Sequence, residues 1–184
     1  MSSPVRDRIV EATLRIIGRD GIAAVTNRRI ATEAGVSPGS LTYHFATQAD
    51  LLRETLLHFV SCETRRLTEL AEQQRDNPLG LAAAAKLVGQ VAASNRFSAE
   101  EIAPFELYIQ AGRDPALRPT AAASFAGYDQ LATTILTALG VREASAIAGT
   151  VVALISGLQL RRLATGEPGA DLSEALLTLV GGIS

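Results

Sequence analysis

The sequence predicts an all-α protein in which an N-terminal module of three helices, containing a helix-turn-helix, precedes a larger helical domain, about nine helices in all. Three observations carry that prediction. Hydrophobic residues make up 47% of the chain and charged residues 20%, far from a disordered composition and rich in the alanine and leucine that favour helix. Apolar positions recur at helical spacing in one segment after another, and no stretch shows the alternation of a strand. The segments open on Ser, Thr or Asp caps and close on glycine. At 184 residues the chain buries an adequate core without disulfides or metals.

The elements follow in order. Ser3 and Pro4 read as N-cap and first helical position, and Val5, Ile9, Ala12, Ile16 and Ile17 trace one apolar face of a helix ending near Gly18 to Gly21. Thr26 caps a second helix of about two turns carrying Ile30, Ala31 and Ala34. Gly35 ends it, because glycine takes the left-handed conformation at no steric cost. Ser37 and Pro38 open an equally short third helix to about His44, with Leu41 and Phe45 at i and i+4 pointing inward.

Thr47 and Asp50 form a capping box for a long fourth helix through Leu51, Leu52, Leu56, Phe59, Val60, Leu67 and Leu70 to about Arg75. Asn77-Pro78 opens a fifth, and Ser98 with Glu101 boxes a sixth that closes at Gly112 before Asp114-Pro115. A seventh runs from about Pro119 to Leu139, and an eighth from about Arg142 to Ala164. Asp171 with Glu174 boxes the ninth, to about Gly181.

Charge and cysteine content exclude several classes. The formal net charge of -2 argues against a surface that coats nucleic acid throughout. Residues 1–50 carry six arginines against five acids, leaving eleven basic and fourteen acidic residues in the remainder, a small bias toward a DNA-facing N-terminus. Arginine outnumbers lysine sixteen to one, so the Arg28-Arg29 pair partly reflects compositional habit. Cys62 stands alone, which rules out an internal disulfide and any cysteine-based structural zinc site. The first residues mix charges and lack an apolar run, so the expected location is the cytoplasm. Ala144 to Leu160 is uncharged, yet it falls at the short edge of the roughly 17 to 25 residues of a membrane span and carries Ser, Thr, Gly and Gln. A buried core or interface helix is the reading we adopt, with no membrane partner.

Helices as short as the second and third gain a purpose if one enters the major groove of DNA, about 12 Å wide. In a helix-turn-helix the second helix enters N-terminus first, so Ser37, Pro38, Gly39, Ser40, Thr42 and Tyr43 are the expected base- and phosphate-facing residues. Thr26 and Thr47, capping the flanking helices, set further hydroxyls and helix-dipole ends near the backbone. Phe45 reads as core, and Tyr43 as a backbone contact with core packing as its alternative. Arg28 divides between a DNA contact and a solvated face. Glu54, His58 and Cys62 share a helical face, but no further His or Cys cluster completes a metal site; no metal or cofactor is expected.

Thr26, Arg28, Ile30-Ala31, Ala34-Gly35-Val36-Ser37, Gly39, Leu41, Tyr43-His44-Phe45 and Leu51, preceded by the Ala12 to Gly21 helix end, closely resemble the DNA-binding module of TetR/AcrR-family transcriptional regulators. Gly157 through Leu163-Ala164-Thr165-Gly166 resembles the eighth helix of many members. The resemblance implies a helix-turn-helix DNA-binding domain at 1–46 and an effector-binding and dimerisation domain at 47–184. It also implies a homodimer on a double-stranded palindromic operator, most often repressing, and released by a small-molecule effector. Two positions depart from the family pattern. Thr42 stands where a tyrosine is common, and Gln48 where many members place a phosphate-binding lysine, which should flatten the salt dependence.

In the eighth helix Gly149, Ala153 and Gly157 repeat at i, i+4, i+8 and clear a groove for close helix approach. With Val152, Ser156, Leu160, Leu176 and Val180 beside it, we expect a two-fold four-helix interface; the alternative is that the groove receives the fifth helix of the same subunit. Polar candidates for an effector pocket are Glu106, Tyr108, Gln110, Arg113, Tyr128 and Gln159. So few aromatics favour a small or aliphatic effector. The competing classes are an enzyme using that pocket, for which no nucleophile with its base is evident, and a scaffold that binds only protein.

Overall fold

A computed structural model of the chain describes residues 4–73, 80, 82–86, 99–167 and 171–181. Among them every regular element is helical and none is a strand. In order these are α1 (Pro4–Asp20), a 3₁₀ turn (Ile22–Ala24), α2 (Asn27–Ala34), α3 (Pro38–His44), α4 (Gln48–Gln73), α5 (82–86), α6 (Ala99–Arg113), α7 (Arg118–Ala138), α8 (Ala144–Thr165) and α9 (Leu172–Gly181). The expected caps at Ser3 and Ser98 and the helix start at Asn77-Pro78 lie outside the described residues.

The local signals act as the sequence suggests. Thr26 accepts a hydrogen bond from the Arg29 amide, and Gly35 ends α2 at φ 63° with its N–H turned back to α2 carbonyls. Ser37 accepts from the Ser40 amide, and Pro38 occupies the first turn of α3, where its missing N–H costs nothing. Thr47 and Asp50 close their box: the Asp50 amide donates to Thr47 Oγ1 at 3.0 Å, and that hydroxyl donates to Asp50 Oδ2 at 2.8 Å. Asp171 Oδ1 accepts from the Ser173 amide at 2.8 Å to start α9. α8 begins two residues later than the sequence suggests, at Ala144, because Glu143 adopts a left-handed φ of 54° that cannot belong to the helix.

The chain divides into two compact units, residues 1–62 with 97–124 and residues 63–96 with 125–184. In the first, α1 runs through the middle of the core: its Ile9, Val10, Ala12, Ile16 and Ile17 pack with Ile30 of α2, Leu41 of α3, Phe45, and Leu51, Leu52 and Leu56 of α4. Ala103, Leu107 and Ala111, four residues apart on α6, complete that core. The helix-turn-helix therefore rests on a platform that includes the first turns of α4 and the whole apolar stripe of α6. In the second unit, Ala85, Leu136, Ala144, Ile147, Ala148, Val151, Leu172 and Leu176 form a separate core. α8 is long and apolar enough, by length and composition, to cross a membrane; one such helix is weak evidence, and its Ala144, Ile147, Ala148 and Val151 are spent in this core.

Candidate nucleic-acid interface

α3 has only seven residues, and its burial divides them sharply. Leu41 is 2% exposed and the capping Phe45 5%, whereas Tyr43 is 85% exposed and Ser37, Pro38, Gly39 and Thr42 also face solvent. Two anchors thus hold a helix whose remaining surface is hydroxyl, backbone, one phenol, the Pro38 ring and the half-buried His44. The Ser37 and Ser40 hydroxyls lie 2.9 Å apart, and Thr42 Oγ1 donates to the Gly39 carbonyl at 3.1 Å, which leaves its lone pairs free to accept. Tyr43 meets His44 edge to face, 5.1 Å between ring centroids. A side chain at Gly39 would meet only Ser37 Oγ, at the ordinary contact distance of 3.8 Å. Among the described residues nothing requires glycine there, so its smallness is available to something outside.

The hydroxyl-capped N-termini of α2, α3 and α4 all begin in exposed residues, Thr26, Ser37 and Thr47. Each such end carries unsatisfied N–H groups and a partial positive charge, which suits phosphate. Arg28 is exposed and takes no part in the ion pairs nearby. Its neighbour Arg29 pairs with Asp20, which also accepts from Arg19 Nε at 2.9 Å. Glu33 accepts from Arg15 Nε at 3.0 Å and Arg19 Nη2 at 3.4 Å. The hydrogen bond from Arg19 holds the Asp20 carboxyl below its usual range, and that from Arg15 does the same for Glu33. This network ties the end of α1 to α2 and neutralises three of the four arginines there.

Gln48, where the resemblance leads one to look for a phosphate ligand, donates from Nε2 to the Val25 carbonyl at 3.2 Å. Phe45 lies under the Arg6 guanidinium, 5.4 Å from the ring centroid, and Arg6 also pairs with Glu54 at 2.7 Å. Glu54 is therefore engaged away from His58, whose Nε2 lies 3.6 Å from Cys62 Sγ. Among the described residues no three His, Cys, Asp or Glu side chains gather as a metal would need.

The six pocket candidates are distributed over both units. Glu106, Tyr108, Gln110 and Arg113 sit on α6 in the first, with Tyr108 packed on the core and Glu106 Oε2 accepting from the Ile22 amide at 3.3 Å. Tyr128 and Gln159 sit on α7 and α8 in the second. An open groove of about 570 Å³ in that second unit is lined by Leu154, Asp171, Glu174, Ala175, Thr178 and Leu179, none of the six. Of the expected interface strip, Gly149, Ala153, Gly157 and Leu160 are exposed, Val152 and Ser156 half-buried. A Cβ on Gly149 would lie 3.8 Å from the Asp129 carboxylate, while one on Gly157 would meet open space. Leu176 is buried in the subunit's own core, and Val180 lies in α9 with its side chain outside the described ones. Ala85 of α5 shares the core of Ile147, Ala148 and Val151, a different stripe of α8 from the glycines.

Sequence reading missed Arg29 as an ion-pair partner, Gln48 as a brace and Glu106 as a backbone acceptor. No local pattern signals them, since their partners lie 9, 23 and 84 residues away.

Comparison with known proteins agrees with this architecture. Residues 9–55 match the family described as bacterial regulatory proteins, tetR family, and residues 79–182 match the tetracyclin repressor-like C-terminal domain. The regulator BetI of Vibrio vulnificus (strain YJ016) is 34% identical over 88 residues, 46% of this chain and 44% of that protein. BetI of Paraburkholderia xenovorans (strain LB400) is 28% identical over 180 residues, 94% of this chain and 88% of that one. YerO of Bacillus subtilis (strain 168), an HTH-type regulator, is 26% identical over 73 residues, only 25% of its length. The match thus spans between a quarter and under half of several curated relatives. Among solved structures, the multidrug binding protein EbrR in complex with ethidium is 31% identical and superposes with a TM-score of 0.76 over 98% of this chain and 100% of that one. A TetR-family member from Streptomyces coelicolor A3 is also 31% identical, with a TM-score of 0.73 over 97% and 99%. With its capped, outward-facing α3 and matches over both parts of the sequence, the chain belongs to the TetR family of helix-turn-helix transcriptional regulators, not to an enzyme family.

Proposed function

We propose that this chain is a ligand-responsive repressor of the cytoplasm that binds a palindromic operator as a homodimer and lets go when a small molecule binds. Residues 1–46 read DNA, and residues 47–184 hold the effector and the second subunit. The observation that carries the reading is the division of α3: Leu41 and Phe45 are inside, while Ser37, Pro38, Gly39, Thr42 and Tyr43 are presented. Ser40 and Thr42 reach base edges, Gly39 lets the backbone approach, and Thr26, Arg28, Tyr43, Thr47 and Gln48 meet phosphates. Gln48 is uncharged, so the salt dependence is shallower than in relatives with a lysine there.

The exposed Gly149, Ala153, Gly157 and Leu160 support the second copy packing on α8, with Val152, Ser156 and Val180 around them, whereas Leu176 is spent in the subunit's own core. The EbrR complex with ethidium supports a small-molecule effector. Within the first unit, Tyr108, Gln110 and Arg113 of α6 are the polar groups proposed to orient it; the few aromatics favour an aliphatic effector over a stacked planar one.

A gel shift with the DNA flanking the protein's own gene tests the reading. Salt-sensitive binding that disappears when the palindrome is scrambled is expected, from a species that sediments as a dimer. A monomer, or binding indifferent to the palindrome, overturns it, because two recognition helices must meet grooves about 34 to 36 Å apart on one side of the duplex.

A further inference from the structure

The connector between α1 and α2 is a single 3₁₀ turn of three residues, too short to hold its own place. Its cap is Gly21, at φ 80° and ψ 165°, which offers no side chain to the first amide of the turn. Glu106 supplies the missing acceptor from α6: its Oε2 takes the Ile22 N–H at 3.3 Å, in partly buried surroundings. At the other end of the connector, Gln48 of α4 donates to the Val25 carbonyl at 3.2 Å. Thr26, the cap of α2, is the next residue. Two side chains from distant helices therefore hold the connector at the first amide of the turn and at the carbonyl of its C-cap, the residue before the Thr26 cap of α2.

The geometry points to Glu106 as a positioning residue for DNA reading, whose carboxylate sets the α1–α2 connector, and through it the seat of α2 and α3, against α6. The inference rests on the DNA-reading role proposed above. α6 is well suited to be the reference, since Ala103, Leu107 and Ala111 fix its register within the core of α1. A shift of about an ångström along α6 would carry the pair beyond hydrogen-bonding reach. Releasing it leaves an amide next to a glycine with no local acceptor, so the turn must move to find water. That movement is passed to Thr26 and hence to the start of α2.

The test compares Glu106→Ala, which has no acceptor, with Glu106→Gln, whose carbonyl oxygen still accepts. Hydrogen exchange in the full-length protein is expected to be about tenfold faster at the Ile22 amide in the alanine variant and unchanged in the glutamine variant. Specific DNA affinity should fall about three- to tenfold in Glu106→Ala with non-specific affinity unchanged, and return to within about twofold in Glu106→Gln. Unchanged exchange at Ile22, an equal loss in both variants, or an equal loss on specific and non-specific DNA overturns the assignment. Faster exchange with intact specific affinity overturns it too, since the bond would then exist without positioning the reader. Failure of the unaltered protein to bind its DNA removes the reading on which the inference rests, and shows before any variant is made.

Discussion

In the first unit the large side chains buried to within 2% come from five helices: Ile9, Ile16 and Ile17 of α1, Ile30 of α2, Leu41 of α3, Leu51 and Leu56 of α4 and Leu107 of α6, joined by Leu117. In the second, the described core leans on Ala85, Ala144 and Ala148 with Leu136, Ile147, Val151, Leu172 and Leu176, and most of these keep 5 to 8% of their surface. The first pattern is a finished jigsaw in which a small reading helix can be held still. Among the described residues of the second unit, Leu160 is 48% exposed and a Cβ on Gly157 would meet open space. Close packing of large side chains is concentrated in the unit that carries the proposed DNA-reading helix, and exposed helix surface where another molecule is proposed to sit.

The largest effect expected from this contrast is at Leu107. Leu107→Ala removes a side chain of 0% exposure that joins α6 to α1, and should cost about 2 to 5 kcal/mol of unfolding free energy in urea. Leu160→Ala, at a position 48% exposed, should cost less than about 0.5 kcal/mol in dilute protein where subunits are apart. If the two losses are equal, the second unit is as tightly closed as the first and the contrast fails. If the Leu160 loss grows with protein concentration, the contrast sharpens, because mass action then shows that a second copy covers that face.

A smaller effect separates the two sides of α3. Ser40→Ala and Thr42→Ala touch a surface that the fold hardly uses, so each should leave stability within about 0.5 kcal/mol while lowering discrimination between operator and scrambled DNA by about 1 to 3 kcal/mol. Fluorescence anisotropy on both duplexes decides it: equal losses would mean that these hydroxyls do not read bases. Phe45 is the inward counterpart; its substitution should act on folding first.

How much of this was legible follows the range of each interaction. Thr26 with Gly35, Ser37 with Pro38 and Thr47 with Asp50 act within one helical turn, so their spacing in the chain is their geometry in space. Leu41 and Phe45, four apart, reveal their face in the same way. The Arg29–Asp20 pair, the Gln48 brace and the Glu106 bond join residues whose approach depends on how helices pack, which no periodicity encodes. Pro104 went unread for a related reason: it lies inside α6, where a proline removes an intrahelical hydrogen bond and no local pattern announces that the helix continues through it. The pocket is least legible, since polar residues on helices of uncertain rotation were chosen by type; Glu106 proved to have a backbone partner instead of an empty face.

The smallest effect compares two carboxylates that both units hold in their ionised form by different means. The hydrogen bond from Arg19 lowers Asp20 in the first unit, whereas the backbone amide of Ser173 lowers Asp171 at the start of α9 in the second. A folded-state value below the unfolded one means that each contributes stability above its unfolded pKa and loses it as pH falls through the folded one, so both contributions fade from about pH 4 downward. Asp20→Asn and Asp171→Asn should therefore lower the urea midpoint near neutrality and merge with the unaltered protein once pH falls below the lowered folded-state pKa of each carboxyl. The size of the loss tells the two apart: Asn at 171 keeps a carbonyl oxygen to cap α9, so its difference should be the smaller, while Asp20→Asn loses its ion pairs and its difference should shrink as salt rises from about 0.1 M to about 1 M. A difference at Asp20 that ignores both acid and salt would assign that residue to packing and not to the network that ties α1 to α2.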